Sequence, residues 1–108
     1  MEVWEELSNK RTELDLAIKV MKERGIEKAQ CEAVYRKELA KKILYERADG
    51  VPVTIINDIC RGDERIAELK LNRDTAEILY NTAHEKVMAV KIELRILEKH
   101  YELEWKNG

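Results

Sequence analysis

From Asp63 to Lys106 the chain places apolar residues at helical spacing on two opposite faces of one helix. With a heptad started at Ile66, the a and d positions are Ile66, Leu69, Arg73, Ala76, Tyr80, Ala83, Val87, Val90, Leu94, Leu97 and Tyr101. Arg73 alone brings a charge into this seam. The c and f positions carry Leu71, Thr75, Ile78, Thr82, Ala89, Ile92, Ile96 and Leu103. A helix packed on one neighbour needs a single stripe, so the second implies further helices, supplied by the rest of the chain or by another copy.

The first half, Glu2 to about Arg47, is helix-forming throughout, with Trp4, Leu7, Leu14, Ile18 and Met21 spaced by three, four or seven. Farther on, Ala29, Ala33, Ala40 and Leu44 form one stripe and Tyr35, Leu39 and Ile43 its neighbour. Gly25 leaves two readings: a helix that runs through it at a cost of about 1 kcal/mol, or a stop followed by a new helix. Ala48-Asp49-Gly50-Val51-Pro52 is the main break, because Gly50 suits a left-handed helix terminus and Pro52 biases Val51 to extended geometry. Thr54 is a good N-cap for a short helix, Gly62 closes it, and Asp63 caps the next, with Glu64 in its first turn.

The pattern predicts one domain, residues 1–108, with helices over 2–48 (or two helices meeting at 25), 54–61 and 63–106. Matched long helices of about 65–70 Å should lie antiparallel, setting Trp4 near Tyr101 or Trp105, Leu14 near Leu94 and Ile43 near Ile66. The expected fold is all-α: a long antiparallel helical hairpin with a short capping helix at the turn, assembling into an oligomeric helical bundle. Two helices alone have a thin core, and oligomerisation, as a dimer or higher, is the usual remedy.

Composition agrees with long ordered helices: 39% charged, 44% hydrophobic, one Pro, four Gly and no Phe. A net charge of -2 gives no general attraction for nucleic acid or acidic membranes. Cys31 and Cys60 form no CxxC, and the acidic start Glu2, Glu5, Glu6 lacks the basic segment of a signal peptide. A cytosolic chain with reduced thiols is expected, its cysteines acting as small buried hydrophobes. No apolar run approaches the roughly 20 residues that span a bilayer.

Chemical signatures are sparse. There is no Gly-rich phosphate loop, nucleophile elbow or credible carboxylate pair, and His84-Glu85-Lys86-Val87-Met88 lacks the second His of a zinc-protease helix. A non-enzymatic protein without metal or cofactor is therefore expected. The sharpest polar set lies around the turn: Tyr35, Arg36, Thr54, Asn57, Arg61 and Arg73 are candidate ligand-binding residues, with Asp58 and Asp74 beside them. Arg73, on the seam, needs a partner, for which Asp58 or Glu32 is placed. The set reads either as a structural network fixing register or as an anion site uniting Arg36, Arg61 and Arg73 with free amides at the helix starts of Thr54 and Asp63. Trp4, Leu71, Ile78, Ile92, Ile96, Leu103 and Trp105 are candidate protein-interface residues, since a two-helix layer cannot bury them all. Arg61-Gly62-Asp63 spells an adhesion tripeptide but reads as one helix ending and the next beginning.

Several segments carry a resemblance: Tyr35-Arg36, Leu39-Ala40-Lys41-Lys42-Ile43, Gly50-Val51-Pro52-Val53-Thr54-Ile55-Ile56, Arg61-Gly62-Asp63, Ala67-Glu68-Leu69 and Arg73-Asp74-Thr75-Ala76-Glu77, with terminal Glu93-Leu94-Arg95 and Glu104-Trp105. Together they resemble a family of small uncharacterised helical proteins of bacteriophages and prophages of Gram-positive bacteria. The resemblance implies phage origin and a small helical product, and no activity. The expected function is that of an accessory protein in the host cytoplasm that binds a host protein, as inhibitor or counter-defence. Alternatives are an oligomeric sponge for an anionic nucleotide signal, an accessory of phage DNA metabolism, and a structural or assembly component.

Overall fold

High helix propensity along both halves, with a single proline between them, yields three helices in a computed structural model that describes residues 2–107. These are α1 (Glu2–Ala48), α2 (Val53–Gly62) and α3 (Glu64–Asn107). Among the described residues there is no strand. Of the two readings at Gly25, the helix runs through it unbroken: the flanking turns, rich in Glu, Lys, Arg and Ala, outweigh the cost of one glycine.

The end of α1 is closed by backbone alone. Val51 N–H donates to the Glu46 carbonyl at 3.0 Å and Gly50 N–H to that of Arg47 at 3.1 Å. This pair of reverse bonds forms when the residue after the helix cap turns left-handed, and Gly50 does so with φ 83°. Pro52, at φ -58° and ψ 137°, then holds the N-cap position of α2 without a side-chain cap bond. The expected Thr54 cap is thus corrected: α2 begins at Val53, and Thr54 lies inside its first turn. Proline's fixed φ starts the helix two residues earlier than a Thr54 cap would have. Gly62 does close α2, but not as a left-handed residue; the chain leaves the helix through extended Asp63 at φ -70° and ψ 126°. Asp63 is the expected cap of α3, its Oδ1 accepting from Ile66 N–H at 3.0 Å.

Packing divides the chain into two compact units, and α1 and α3 contribute to both. One comprises Met1–Arg24 with Tyr80–Gly108. Its core is Leu7 and Ala17 of α1 against Ala83, Val87 and Val90 of α3, with Val90 fully buried. Here the expected stripe is corrected at Ile18, which is 46% exposed while Ala17 is buried. After Leu14 the helical period admits either position, and the small Ala17 takes the inward one. Trp4 meets Tyr101, Lys10 meets Glu93 and Glu13 meets Lys86. Partner numbers fall as α1 advances, so the two segments run antiparallel within this unit.

The other unit is Gly25–Leu79. Ile56 and Cys60 on one face of α2 are buried, as are Ile66, Leu69 and Ala76 of α3. From α1 the inward stripe is Glu32, Tyr35, Leu39, Ile43 and Glu46, whereas Ala29, Ala33, Ala40 and Leu44 face outward. In both units the a and d positions of α3 from Ile66 to Tyr101 are buried or half-buried, and its c and f positions are exposed.

The two turn glycines separate by conformation. Gly50→Ala should destabilise the protein by about 1 kcal/mol, because a Cβ is strained at positive φ even with open space around it. Gly62→Ala, in helical geometry with nothing within 4 Å of its added Cβ, should stabilise by about 0.4–1 kcal/mol. Urea unfolding of the two variants checks the opposite signs.

Candidate functional site

Charges that fall on the inward stripe of α1 must find partners, and they do so locally. In the unit of the chain ends, Lys10 Nζ donates to Glu13 Oε2 and Glu93 Oε2, both at 2.9 Å, and Lys86 Nζ donates to Glu13 Oε1 at 3.0 Å. The result is an alternating chain of four charges tying α1 to α3. The Glu93 and Glu13 carboxylates hold the Lys10 ammonium above its ordinary pKa, and Lys10 and Lys86 hold Glu13 below its own. In the other unit Lys42 bridges Glu46 at 2.7 Å and Asp63 at 3.5 Å. Ion pairs this exposed set alignment more than they stabilise.

The polar set around the turn separates into two groups. Arg73 lies on the seam, where its Nε and Nη2 both reach Asp74 Oδ1, at 3.0 and 2.9 Å. Its Nε is 3.7 Å from Glu32 Oε2, and the guanidinium lies 4.4 Å from the centre of the Tyr35 ring. Asp74, then Glu32, keeps the guanidinium firmly protonated. Of the two expected partners Glu32 is present and Asp58 is not; Asp58 sits exposed on α2, and the adjacent Asp74 takes the nearest contact. Tyr35, Asn57, Arg61 and Arg73 line one open groove of about 650 Å³, with Leu39, Cys60 and Ile66 among its apolar walls and Lys70 and Asp74 among its polar ones.

Arg36 and Thr54 are not among the groove's lining residues. Arg36 is 77% exposed and pairs one turn back with Glu32 at 2.7 Å. The amide that Asp63 was expected to leave free is taken by its own carboxylate, and Ile55 N–H bonds the Pro52 carbonyl. The anion site as drawn from sequence therefore does not assemble: Arg73 pairs with Asp74 and shares Glu32 with Arg36, and the α3 start is capped by Asp63.

The candidate interface residues are all exposed: Leu71 and Ile78 in one unit, and Trp4, Ile92, Ile96, Leu103 and Trp105 in the other, from 48% for Trp4 to 77% for Trp105. Trp4 stacks at a tilt of 46° on Tyr101, ring centres 5.9 Å apart. With Glu104 and Trp105 they line a cleft of about 400 Å³. The sequence pairing set Trp4 near Tyr101 or Trp105, and Trp4 does meet Tyr101; it missed Glu104 as a member of this cleft, although Tyr101, Glu104 and Trp105 at i, i+3 and i+4 share one helix face. It missed Lys70 in the groove, which stands one turn before Asp74.

Among the described residues no group of three or more His, Cys, Asp or Glu is placed to hold a metal, and no helix is long and apolar enough to cross a membrane. No protein-family model, curated protein or solved structure matches the chain.

Two outcomes follow from these charges. Arg73→Leu should fold with stability within about 1 kcal/mol of wild type, since the seam gains an apolar side chain for partly exposed ion pairs, and Asp74→Asn should cost no more than about 1 kcal/mol. A Tm series checks both. The Asp63 carboxylate is held below its ordinary pKa, first by the Ile66 amide and also by Lys42. A depressed folded pKa stabilises above the unfolded pKa and loses that contribution as pH falls through the folded value. Asp63→Asn, which can still cap, should thus be less stable than wild type at neutral pH, and the gap should close below the ordinary carboxylate range, measured by urea unfolding against pH.

Proposed function

We propose that the protein is a non-enzymatic binding protein: a long antiparallel hairpin, capped at its turn by α2, that self-associates into a helical bundle and acts by occupying another protein. The observation that carries this reading is the outward stripe of α3. Leu71, Ile78, Ile92, Ile96 and Leu103 are each at least half exposed, at helical spacing. Covering what remains exposed on one such side chain contributes on the order of 1 kcal/mol. Association costs about 4–15 kcal/mol. A single residue therefore decides nothing, but a stripe used by both copies of a two-fold contact counts twice and reaches the same order.

The resemblance to phage and prophage proteins makes a bacterial host protein the proposed target, with counter-defence or host takeover in the host cytoplasm as the role. A second reading, the anionic nucleotide sponge, has one observation in its favour: Arg61 and Lys70 line the groove of Gly25–Leu79 without an ion pair among the described residues. It is weaker, because Arg73 in the same groove is already neutralised by Asp74 and Glu32. The readings as a DNA-metabolism accessory or an assembly component gain nothing specific from the geometry.

Light scattering at micromolar concentration should give at least twice the 12.7 kDa chain mass. Ile92→Glu with Ile96→Glu should lower that mass with helicity retained, and should release whichever bacterial protein the wild type retains on an affinity column. A folded wild-type monomer would remove self-association from the reading. Retention of the same protein by the double variant would place the contact elsewhere.

A further inference from the structure

The aromatic cleft of the Met1–Arg24 and Tyr80–Gly108 unit has a chemistry that self-association does not need. Its lining is Trp4, Tyr101, Glu104 and Trp105. Its volume, about 400 Å³, falls within the span of small-molecule sites, roughly 300–1,000 Å³. An aromatic face is the negative pole of a ring quadrupole and attracts cations, most strongly for Trp. Among the described residues no lysine or arginine lines the cleft.

Charge around the cleft points the same way. Residues 2–8 and 101–107 contain Glu2, Glu5, Glu6, Glu102 and Glu104 against the single basic Lys106. The helix dipoles oppose one another here, since the start of α1 and the end of α3 both belong to this unit, so the side-chain charges set the sign. The same carboxylates disfavour a second copy presenting this end to itself. Ring geometry chooses among cations. The Trp4 and Tyr101 rings pack on each other at 5.9 Å and a tilt of 46°, so they offer no pair of open parallel planes for a flat guanidinium, whereas a rounded, alkylated ammonium needs only the ring surfaces that line the cleft.

We propose that Trp4, Tyr101 and Trp105, closed by Glu104, bind a quaternary or fully methylated ammonium group. The rings supply cation–π attraction and apolar contact with the methyl groups, and Glu104 supplies the counter-charge. The site lies within one unit and does not depend on the apolar stripe of α3 being paired.

Trp4 and Trp105 are the only tryptophans of the chain, so intrinsic fluorescence reports on the site itself. Choline chloride titrated into the full-length protein, with potassium chloride holding ionic strength, should give a saturable change in tryptophan emission. Glu104→Gln and Trp105→Ala should each weaken the response by about fivefold or more, with helical circular dichroism unchanged. The neutral isostere of choline, bearing tert-butyl in place of trimethylammonium, should produce no saturation over the same range. Two-arm comparison with phosphatidylcholine vesicles distinguishes a free cation from a lipid headgroup, and in both cases saturation lost in Glu104→Gln supports the ammonium site. No saturation with either source, an equal response to the isostere, or a choline response untouched by Glu104→Gln and Trp105→Ala overturns the proposal. If Trp105→Ala loses helicity, Glu104→Gln alone decides, because an exposed isosteric change at the end of α3 leaves packing in place.

Discussion

A helix laid against one neighbour hides one stripe of side chains and no more. In α3 the stripe from Ile66 through Leu69, Ala76, Ala83 and Val87 to Val90 is buried, and the opposite positions at Leu71, Ile78, Ile92, Ile96 and Leu103 stay open. Each other element is arranged around the buried stripe. In one unit Leu7 and Ala17 of α1 cover it; in the other, Ile56 and Cys60 of α2 share the burial with it. The charges on the inner side of α1 are tolerated only because α3 or α1 itself offers a partner within reach.

The readable and unreadable parts of the sequence differ for a physical reason. In α3 the apolar residues keep a heptad spacing with one exception, so the buried side could be named in advance, and even the exception, Arg73, announced that it needed a carboxylate. α1 offers no such contrast. Leu16, Ile18, Val20, Ile26, Val34 and Leu44 are exposed, while Lys10, Glu32, Lys42 and Glu46 fall on or beside the inward side. Apolar residues scattered around a helix leave its orientation to packing, and there the pairing of Lys10 with Glu93 and of Lys42 with Asp63 supplies what the pattern omits.

The candidate site was legible as a neighbourhood and not as a constellation. Tyr35, Asn57, Arg61 and Arg73 do come to one groove, because Asn57 and Arg61 are one turn apart on α2 and Arg73 stacks over Tyr35. Arg36 was indistinguishable from them in sequence, yet a carboxylate four residues earlier claims it. The Thr54 cap failed to a proline two positions before it, whose backbone preference outweighed a hydroxyl. The aromatic cleft was visible as Trp4 beside Tyr101 or Trp105 and not as a box, since Glu104, at the d position after Leu97, is a charge for which the pattern offered no partner.

The ion pairs also differ in the length of chain that each one closes. Lys10 and Glu93 stand 83 residues apart, whereas Lys42 and Asp63 merely flank the turn and α2. Each doubling of a closed loop costs about 0.6 kcal/mol of chain entropy, and roughly two doublings separate these contacts. The contacts beside Gly50 are therefore cheaper to form first, and each one made shortens the loop that the next must close. The left-handed glycine at the end of α1 therefore acts on chain entropy as well as on geometry: by turning the chain within a few residues, it keeps short the loop that Lys42 and Asp63 close within their own unit.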